Sequence, residues 1–384
     1  MSTTKRTEEI CCKIKTLCLG SSLALRVSAS AVVLAFLLVA GAALPAQDAP
    51  VFPAPGCSAT NQGLISNWNF DESLGLAIDQ GDGNNGILGA SITRVPGITG
   101  SGAVSFDNTS SAYINVGPGI NNDFSFTTGM TISLLSKPNW TGDLSDYDDF
   151  FRKDDGNDRI LLAFQNDNGV CCPFFGGGGK GQVLSFGLNI GGIYDEIDMP
   201  LDGLNGRPSL SQLEDGNAHL IVATYDSTTG VKAVFIDGLL AMSKTYPIGT
   251  LISSGGTADA IIGNWKESAP AFGEPFNGII DELRIYNRAL TTGETQCVQF
   301  TSVLADIKSS LAQRLIDNPG IAEALYGILN AAARSASFGN NGAAANQLNA
   351  AMLFVKAQQS QHIDQTTAQR LLSELTLLLR LSSR

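Results

Sequence analysis

The sequence predicts an all-β sandwich or barrel over residues 61–298, followed by a small all-α helical bundle over residues 299–384. In the first range, short apolar or alternating runs are separated by Gly, Asn and Asp, and no helix-length periodic segment interrupts them. In the second range, Ala, Leu, Gln and Ser are abundant, and apolar residues recur at helical spacing. The 42 glycines and the charged fraction of 16% also fit a chain with many turns and short strands.

The N-terminal residues have the pattern of a secretory signal. A basic region that ends at Arg26 precedes the apolar run of residues 27–44, and small residues follow this run. We expect residues 1–46 to be a signal peptide, cut after Ala46, and residues 47–60 to be a linker. This pattern predicts a secreted protein, either extracellular or at the cell surface. The alternative is that this segment stays uncleaved and anchors the protein in a membrane, which would be its only predicted contact with a membrane. The apolar run of residues 27–44 is marginally long for spanning a bilayer.

The net charge limits the kinds of binding partner, and the cysteine count bears on the cellular compartment. The net charge of −12 argues against a nucleic-acid partner, because phosphate binding requires a basic face. Export would leave four cysteines in an oxidising compartment, which favours two disulfides with three possible pairings. Cys57 and Cys297 bracket the predicted sandwich, and a bridge between them would tie its two ends. Cys171 and Cys172 are adjacent, so a vicinal disulfide, free thiols and partners elsewhere all stay open.

The predicted strands are short, and several of them alternate apolar and polar residues. The clearest runs are AYINVG, MTISLLS, ILLAFQN, VLSFGLNI, HLIVATYD, VKAVFI, LLAMS, AIIGNW and GIIDELRIY. Asp237-Gly238, between VKAVFI and LLAMS, is a strong signal for a two-residue hairpin turn. Many short strands without intervening helices indicate a sandwich or barrel closed by antiparallel pairing.

Four blocks of this region resemble the laminin-G-like, or concanavalin-A-like, jelly rolls of secreted bacterial proteins. They are GLISNWNFDESLGLAIDQGDGNNGIL at 63–88, GSGAVSFDNTSSAYINVG at 100–117, DGNAHLIVATYDSTTGVKAVFIDGLLAMS at 215–243 and FNGIIDELRIYNRALTTGE at 276–294. The resemblance implies an all-β jelly-roll sandwich over residues 61–298. The chain departs from the family pattern at Asn217-Ala218-His219, where the family has Trp-His-His. Residues 141–181 also match poorly, so we expect specificity to lie in those loops.

One carboxylate lies in an apolar row of the last predicted strand. Strict alternation would align Asp281 with apolar residues such as Ile279, and a buried carboxylate needs a partner or a metal. The resemblance implies that the first and last strands lie side by side, with a structural Ca²⁺ near their meeting point. We therefore expect Asp71, Asp79 and Asp281 to be calcium ligands. The alternative is a set of hydrogen bonds from backbone N–H groups or from an arginine such as Arg284.

The segment YDEIDMP resembles the catalytic signature of the laminarinase-like glucanases, which share the jelly-roll fold. In that signature, Glu196 would be the nucleophile and Asp198 the assisting acid, both on one face of a strand. The acid/base position falls on Pro200 or Leu201, and neither side chain can transfer a proton. The chain has only 2 histidines, in different regions, so a Ser-His-Asp site is not expected either. We therefore predict no catalytic activity. Glycoside hydrolysis is the least favoured of three functional hypotheses, and the other two are binding and adhesion.

The resemblance also implies ligand binding by stacking of sugar rings on aromatic side chains. Trp140, Tyr194 and Trp265 are the candidate ligand-binding residues, and the Phe174-Phe175 pair is a further possibility. The alternative for each ring is packing in the core or at the rim of the sandwich. The leading prediction is a secreted, non-catalytic protein that recognises a glycan, meaning a carbohydrate or a cell-surface polymer.

The C-terminal region contains four runs with an apolar helical stripe: VLADIKSSLAQRLI, IAEALYGILNAAARSA, NQLNAAMLFVKAQQ and TTAQRLLSELTLLLRL. Asn318-Pro319-Gly320 is expected to end the first helix, and Asp364 is expected to cap the last. The order of these runs resembles the FIMAH domain, a helical module of secreted bacterial proteins. That resemblance implies surface association or protein contact. The alternative function is therefore a structural or adhesion protein that acts through the helical module.

Overall fold

The computed structural model describes residues 52, 56–57, 61–119, 124–144, 146–154, 156–166, 181–253, 255–265 and 273–382. The predicted signal peptide, Phe174, Phe175, Cys171 and Cys172 lie outside these ranges, as does most of the predicted linker. Pro50–Arg384 form one compact unit. Within the described ranges, no helix is both long enough and apolar enough to cross a membrane.

Two antiparallel sheets face each other in a sandwich, as the sequence predicts. In chain order the described strands are β1 (Leu64–Trp68), β2 (Ile87–Leu88), β3 (Thr93–Pro96), β4 (Gly102–Asp107), β5 (Ile114–Gly117), β6 (Gly129–Pro138), β7 (Asp148–Lys153), β8 (Ile160–Asn166), β9 (Gln182–Ile190), β10 (Ile193–Pro200), β11 (His219–Asp226), β12 (Val231–Ile236), β13 (Leu239–Thr245), β14 (Ala260–Ile262) and β15 (Asn277–Tyr286). An eight-stranded sheet runs β13-β12-β11-β6-β15-β4-β3, and its β1 pairs with β15. A seven-stranded sheet runs β10-β9-β8-β7-β14-β5-β2.

The eight-stranded sheet has two apolar faces, which explains the nearly continuous apolar run HLIVATYD in β11. Ile221, Ala223 and Tyr225 point into the sandwich core, whereas Leu220 and Val222 point to the opposite side. On that opposite side they join an apolar cluster that includes side chains of the C-terminal helices. The sheet is therefore covered on one face by the second sheet and on the other by helices.

The Asp237-Gly238 signal is confirmed as the turn of the β12–β13 hairpin. Ile236 pairs with Leu239, and the two turn residues between them have φ angles of 53° and 78°. These left-handed values are those of a type I′ turn, which matches the twist of the flanking strands.

A bulge in β15 overturns the strict alternation expected for this strand. The pairing with β6 shifts between Asp281 and Arg284, and Glu282 has a φ of 53°. As a result, Ile280 and not Ile279 joins the sandwich core alongside Leu283. Asp281 is thereby turned away from the sandwich core, towards the loop of Ile98 and Thr99.

The helices of the described residues confirm a C-terminal helical region. The α-helices of the described residues are α1 (Leu210–Leu213), α2 (Thr292–Cys297), α3 (Phe300–Ala312), α4 (Pro319–Ser337), α5 (Asn341–Gln358) and α6 (Gln365–Ser382). The last four of them form the C-terminal region. The apolar stripes of α3 to α6 pack into a second core. Leu377 of α6 packs on the outer face of the eight-stranded sheet, and the Glu374 carboxylate accepts the Gly100 N–H at 2.8 Å.

The caps of these helices were predicted in part. Asp364 precedes α6 as expected, and its Oδ2 accepts the N–H of Thr367 at 2.9 Å. Asn318-Pro319-Gly320 does not end the preceding helix, which stops earlier, at Ala312. It begins α4 instead: the Asn318 Oδ1 accepts the Gly320 N–H at 2.9 Å, and proline takes the first helical position, where no N–H is needed.

A disulfide between Cys57 and Cys297 confirms the bridge across the sandwich. The two cysteines are 240 residues apart in sequence, and both are buried. The bridge lies beside the core of the helical region, where Phe300 and Val303 belong to the same apolar cluster. It therefore ties the segment that precedes β1 to the end of α2.

Candidate functional site

The outer face of the seven-stranded sheet carries a cluster of charged and aromatic side chains. In β10, Ile197 and Met199 point into the core, so Tyr194, Glu196 and Asp198 point outward. The same face is continued by neighbouring strands and loops. We call this surface the charged face; its members are Asp149, Arg152, Asp154, Arg159, Tyr194, Glu196, Asp198, Trp265 and Glu274.

Two aromatic rings of the charged face each lie beneath an arginine. The Arg152 guanidinium carbon is 4.3 Å from the centre of the Trp265 ring, and that of Arg159 is 5.2 Å from the centre of the Tyr194 ring. These distances allow cation–π attraction, which fixes the orientation of the rings. The Trp265 side chain is half-buried, whereas Tyr194 is only 6% exposed.

Arg152 is the electrostatic centre of this face. Its guanidinium forms ion pairs with Asp149 at 3.3 Å and Asp154 at 2.9 Å, and also with Glu274. Burial raises the pKa of Asp149 even though Arg152 opposes this effect. Burial also disfavours ionisation of Asp154, but the guanidinium groups of Arg152 and Arg159 lower the pKa of Asp154 overall. The face therefore holds fixed charges of both signs.

The two acids of β10 have different surroundings. Burial raises the pKa of Glu196 to about 7, although the Tyr194 hydroxyl donates a hydrogen bond to its carboxylate at 2.7 Å. Asp198 accepts a hydrogen bond from the Ser185 hydroxyl at 2.9 Å and is 1% exposed. Pro200 closes the strand, so the third acid of the glucanase signature is missing.

A family model matches the larger part of the sandwich. Residues 107–296 match the model described as the Concanavalin A-like lectin/glucanases superfamily. The sandwich is a concanavalin A-like jelly roll. Its predicted fold is therefore confirmed, together with the helical region that follows it. A comparison with curated proteins finds no match.

Solved structures with similar folds include two toxin domains and one domain of a hydrolase. The binding domain of Paraclostridial Mosquitocidal Protein 1 has 16% identity over 64% of this chain and 53% of that chain, with a TM-score of 0.46. Domain 4 of AbnA, a GH43 extracellular arabinanase from Geobacillus stearothermophilus in complex with arabinotriose, has 21% identity over 60% and 96%, with a TM-score of 0.39. The Botulinum neurotoxin serotype D binding domain has 12% identity over 65% and 53%, with a TM-score of 0.45. The chain thus matches 53% of the length of each toxin domain.

The jelly roll brings together two of the three predicted ligand-binding aromatics. Tyr194 and Trp265 both lie on the charged face. The Arg152 guanidinium lies over the Trp265 ring and also interacts electrostatically with Tyr194. Trp140 lies elsewhere, in the sandwich core. Its ring is 2% exposed and stacks on Phe164 with the ring centres 5.2 Å apart. Trp140 therefore offers no ring face to a ligand, and we omit it from the proposal below.

Sequence reasoning missed the charged partners of these rings. Arg152, Asp154 and Arg159 lie in the segment FRKDDGNDR, within the range that matches the family pattern poorly. Its density of charge is the one available signal. Glu274 reaches the same place from a distant loop, and the sequence pattern gives no indication of this pairing.

The three predicted calcium ligands each have protein partners. Asp281 accepts the N–H groups of Ile98 and Thr99 at 2.9 and 3.0 Å, and burial raises its pKa. Asp79 accepts four backbone N–H groups, one from Asn67 in β1 and three from the loop that follows Asp79. Asp71 accepts the N–H groups of Ser101 and Gly102 at the start of β4. Across the described ranges, no three His, Cys, Asp or Glu side chains converge as a metal site requires. Calcium binding therefore stays a prediction, and no step below depends on it.

Proposed function

We propose that this chain is a secreted, non-catalytic protein that binds carbohydrate or a related cell-surface polymer on the charged face of its jelly roll. One observation carries the proposal: Tyr194 and Trp265 lie on the same sheet face as a set of fixed, partly exposed charges. Sugars present an apolar ring face and a rim of hydroxyls, and they are bound by rings together with planar, bidentate polar groups.

The partly exposed charged side chains of the face are placed to form hydrogen bonds with sugar hydroxyls. The Arg159, Asp154 and Glu274 side chains are 26%, 12% and 21% exposed, so each combines a buried ion pair with an accessible edge. Because their partners already fix their positions, little side-chain entropy would be lost when a ligand binds. Trp265 would then provide the platform for a sugar ring.

The absence of catalysis is part of this proposal. A retaining glycoside hydrolase needs two carboxyl groups about 5–5.5 Å apart, one of them as general acid. In β10 the position that would hold this acid is Pro200. Glu196, the counterpart of the nucleophile, is engaged by the Tyr194 hydroxyl. Secretion is supported by the N-terminal sequence pattern and by the Cys57–Cys297 disulfide, which favours an oxidising compartment.

A glycan array tests the proposal, with the purified chain and three variants. We expect Trp265→Ala to lose the array signal of the unmodified chain. Tyr194→Ala should reduce it, because Tyr194 is only 6% exposed and acts by holding Glu196 and Arg159 in place. Phe338→Ala is the control, because this aromatic is 83% exposed and lies in the helical region. The proposal is wrong if no glycan is bound, or if both face variants keep the full signal.

Point variants are preferable to removal of residues 299–384 for separating this function from adhesion through the helices. Leu220 and Val222 of β11 share an apolar cluster with Leu377 of α6. Truncation would expose this apolar surface and promote aggregation, which would imitate self-association. If binding to cells survives in the face variants and is lost in Leu353→Ala, at a 67% exposed helical position, the helical module is the functional surface.

A further inference from the structure

A second cavity, unrelated to the charged face, lies between the jelly roll and helix α3. Its volume is about 300 Å³, at the lower end of the range for small-molecule sites. One wall comes from β1 and β15 and the facing wall from α3. The lining residues used below are Asn67, Asn69, Asp71, Glu282, Arg284 and Asp306.

Arg284 has an unused donor at this cavity. Its side chain is 4% exposed, and its Nη2 donates to the Ser302 hydroxyl at 2.6 Å and to the Glu282 carboxylate. Its Nη1 has no hydrogen-bond partner among the described residues. Buried polar groups are nearly always paired, so an unpaired guanidinium nitrogen in a cavity wall indicates a group that accepts hydrogen bonds there.

The same cavity has unused acceptors. The Oδ1 atoms of Asn67 and Asn69 are buried and have no partner in the described part of the chain. Asp71 lies beside them and accepts the Asn69 Nδ2 hydrogen at 2.9 Å. These acceptors belong to the end of β1 and the residues after it, whereas Arg284 belongs to β15. The cavity therefore offers an anion-binding donor and a separate group of cation-binding acceptors.

Both signs of charge line the cavity: Asp71, Glu282 and Asp306 are acidic, and Arg284 and Lys308 are basic. Asp306 is paired with Arg370, with N–O distances of 2.9 and 3.1 Å, and Glu374 is fully buried nearby. The Glu374 Oε2 has no partner within the described ranges. A simple anion would leave the Asn67 and Asn69 oxygens unpaired, and a simple cation would leave the Arg284 nitrogen unpaired.

We propose that this cavity binds a small zwitterion of the α-amino acid class. The ligand carboxylate would accept from the Arg284 Nη1, and the ligand ammonium would donate to the Asn67 and Asn69 oxygens beside Asp71. One molecule would thereby satisfy the donor and the acceptors together, with no change in net charge of the cavity. Because its walls come from both the jelly roll and α3, the ligand would join the two.

Screening of the full chain by thermal melting with each of the twenty L-amino acids tests the proposal. Methylammonium and acetate, each at the same concentration, supply the two ligand groups separately. We expect at least one amino acid to raise the melting temperature and to give a saturable heat in calorimetry, and neither fragment to do so. The proposal is overturned if no amino acid acts, or if methylammonium or acetate alone acts as strongly, because the site then binds a single charge.

Two variants locate the binding. Asn69→Ala removes an acceptor, and Arg284→Lys removes the planar donor while keeping the charge. We expect each to weaken amino acid binding by about 10- to 100-fold, the usual value of one hydrogen bond to a charged group. Asn349→Ala, at an exposed position of α5, is the control. Unchanged affinity in Asn69→Ala would contradict the proposal even if Arg284→Lys does not fold.

Discussion

Glu196 gives the sharpest prediction about the charged face, because its titration should appear in the stability of the whole chain. Burial raises its pKa from 4.5 to about 7. The folded state therefore holds the proton more tightly than the unfolded state does. The resulting stabilisation is fully present below pH 4.5 and is lost as pH rises through about 7. One pKa unit corresponds to about 1.4 kcal/mol, so the total effect is about 3 kcal/mol.

The Glu196→Gln variant removes this titration while keeping an oxygen that accepts from the Tyr194 hydroxyl. We expect the stability of the variant relative to the unmodified chain to increase by up to about 3 kcal/mol between pH 4.5 and pH 8. Urea unfolding at several pH values, followed by circular dichroism, measures this difference. Burial lowers the pKa of Lys232 to about 7, and Lys232 interacts electrostatically with Glu196, so the measured difference includes the response of Lys232 to the loss of the Glu196 charge.

Asp82→Asn is the matched control, because it makes the same kind of replacement at an exposed acid outside the charged face. The reasoning is refuted if Glu196→Gln and the unmodified chain have parallel stability curves from pH 4.5 to pH 8. That result would mean that the Glu196 carboxylate is as well solvated in the folded chain as in the unfolded one.

Three further predictions concern the framework, and urea unfolding checks each of them. Cys57→Ser should lower the free energy of unfolding by about 2–5 kcal/mol, since the bridge closes a span of 240 residues; equal stability of the oxidised and reduced chains would contradict this. Asp281→Ala should cost about 2–5 kcal/mol, because the Ile98 and Thr99 N–H groups lose their acceptor; a loss below about 0.5 kcal/mol would show that they find another. Asp364→Ala should cost about 1 kcal/mol through loss of the α6 cap, and no loss would show that the Thr367 bond is not stabilising.

Two features that depend on neighbouring residues were predicted from the sequence, whereas Asn318-Pro319-Gly320 was wrongly expected to end a helix that it does not belong to. The Asp237-Gly238 turn needs two left-handed residues, and this dipeptide adopts them readily. The Asp364 cap depends on a residue three positions further along the chain. The helices and most strands have apolar patterns that span their whole length, so their types were readable although their ends were not.

Features that depend on contacts between residues far apart in the sequence were not predicted. The bulge at Glu282 places a non-glycine residue at positive φ, and no local signal marks it. Ile279 and Asp281 were therefore assigned to the core face, which Ile280 occupies instead. Trp140 follows a strand in an apparent loop, yet Phe164 of β8 stacks on its ring in the core. Arg152 forms an ion pair with Glu274, which is 122 residues away in the sequence. Only the order of strands in the sheet brings these two residues together.

The central claim is that the charged face binds a glycan without cleaving it, and calorimetry with the strongest array ligand tests this most directly. We predict saturable binding by the unmodified chain, at least ten-fold weaker binding by Trp265→Ala, unchanged binding by Phe338→Ala, and intact glycan in mass spectra of the recovered sample. Equal affinity of Trp265→Ala and the unmodified chain would place the binding elsewhere, and shortened glycan would show that the chain is a hydrolase.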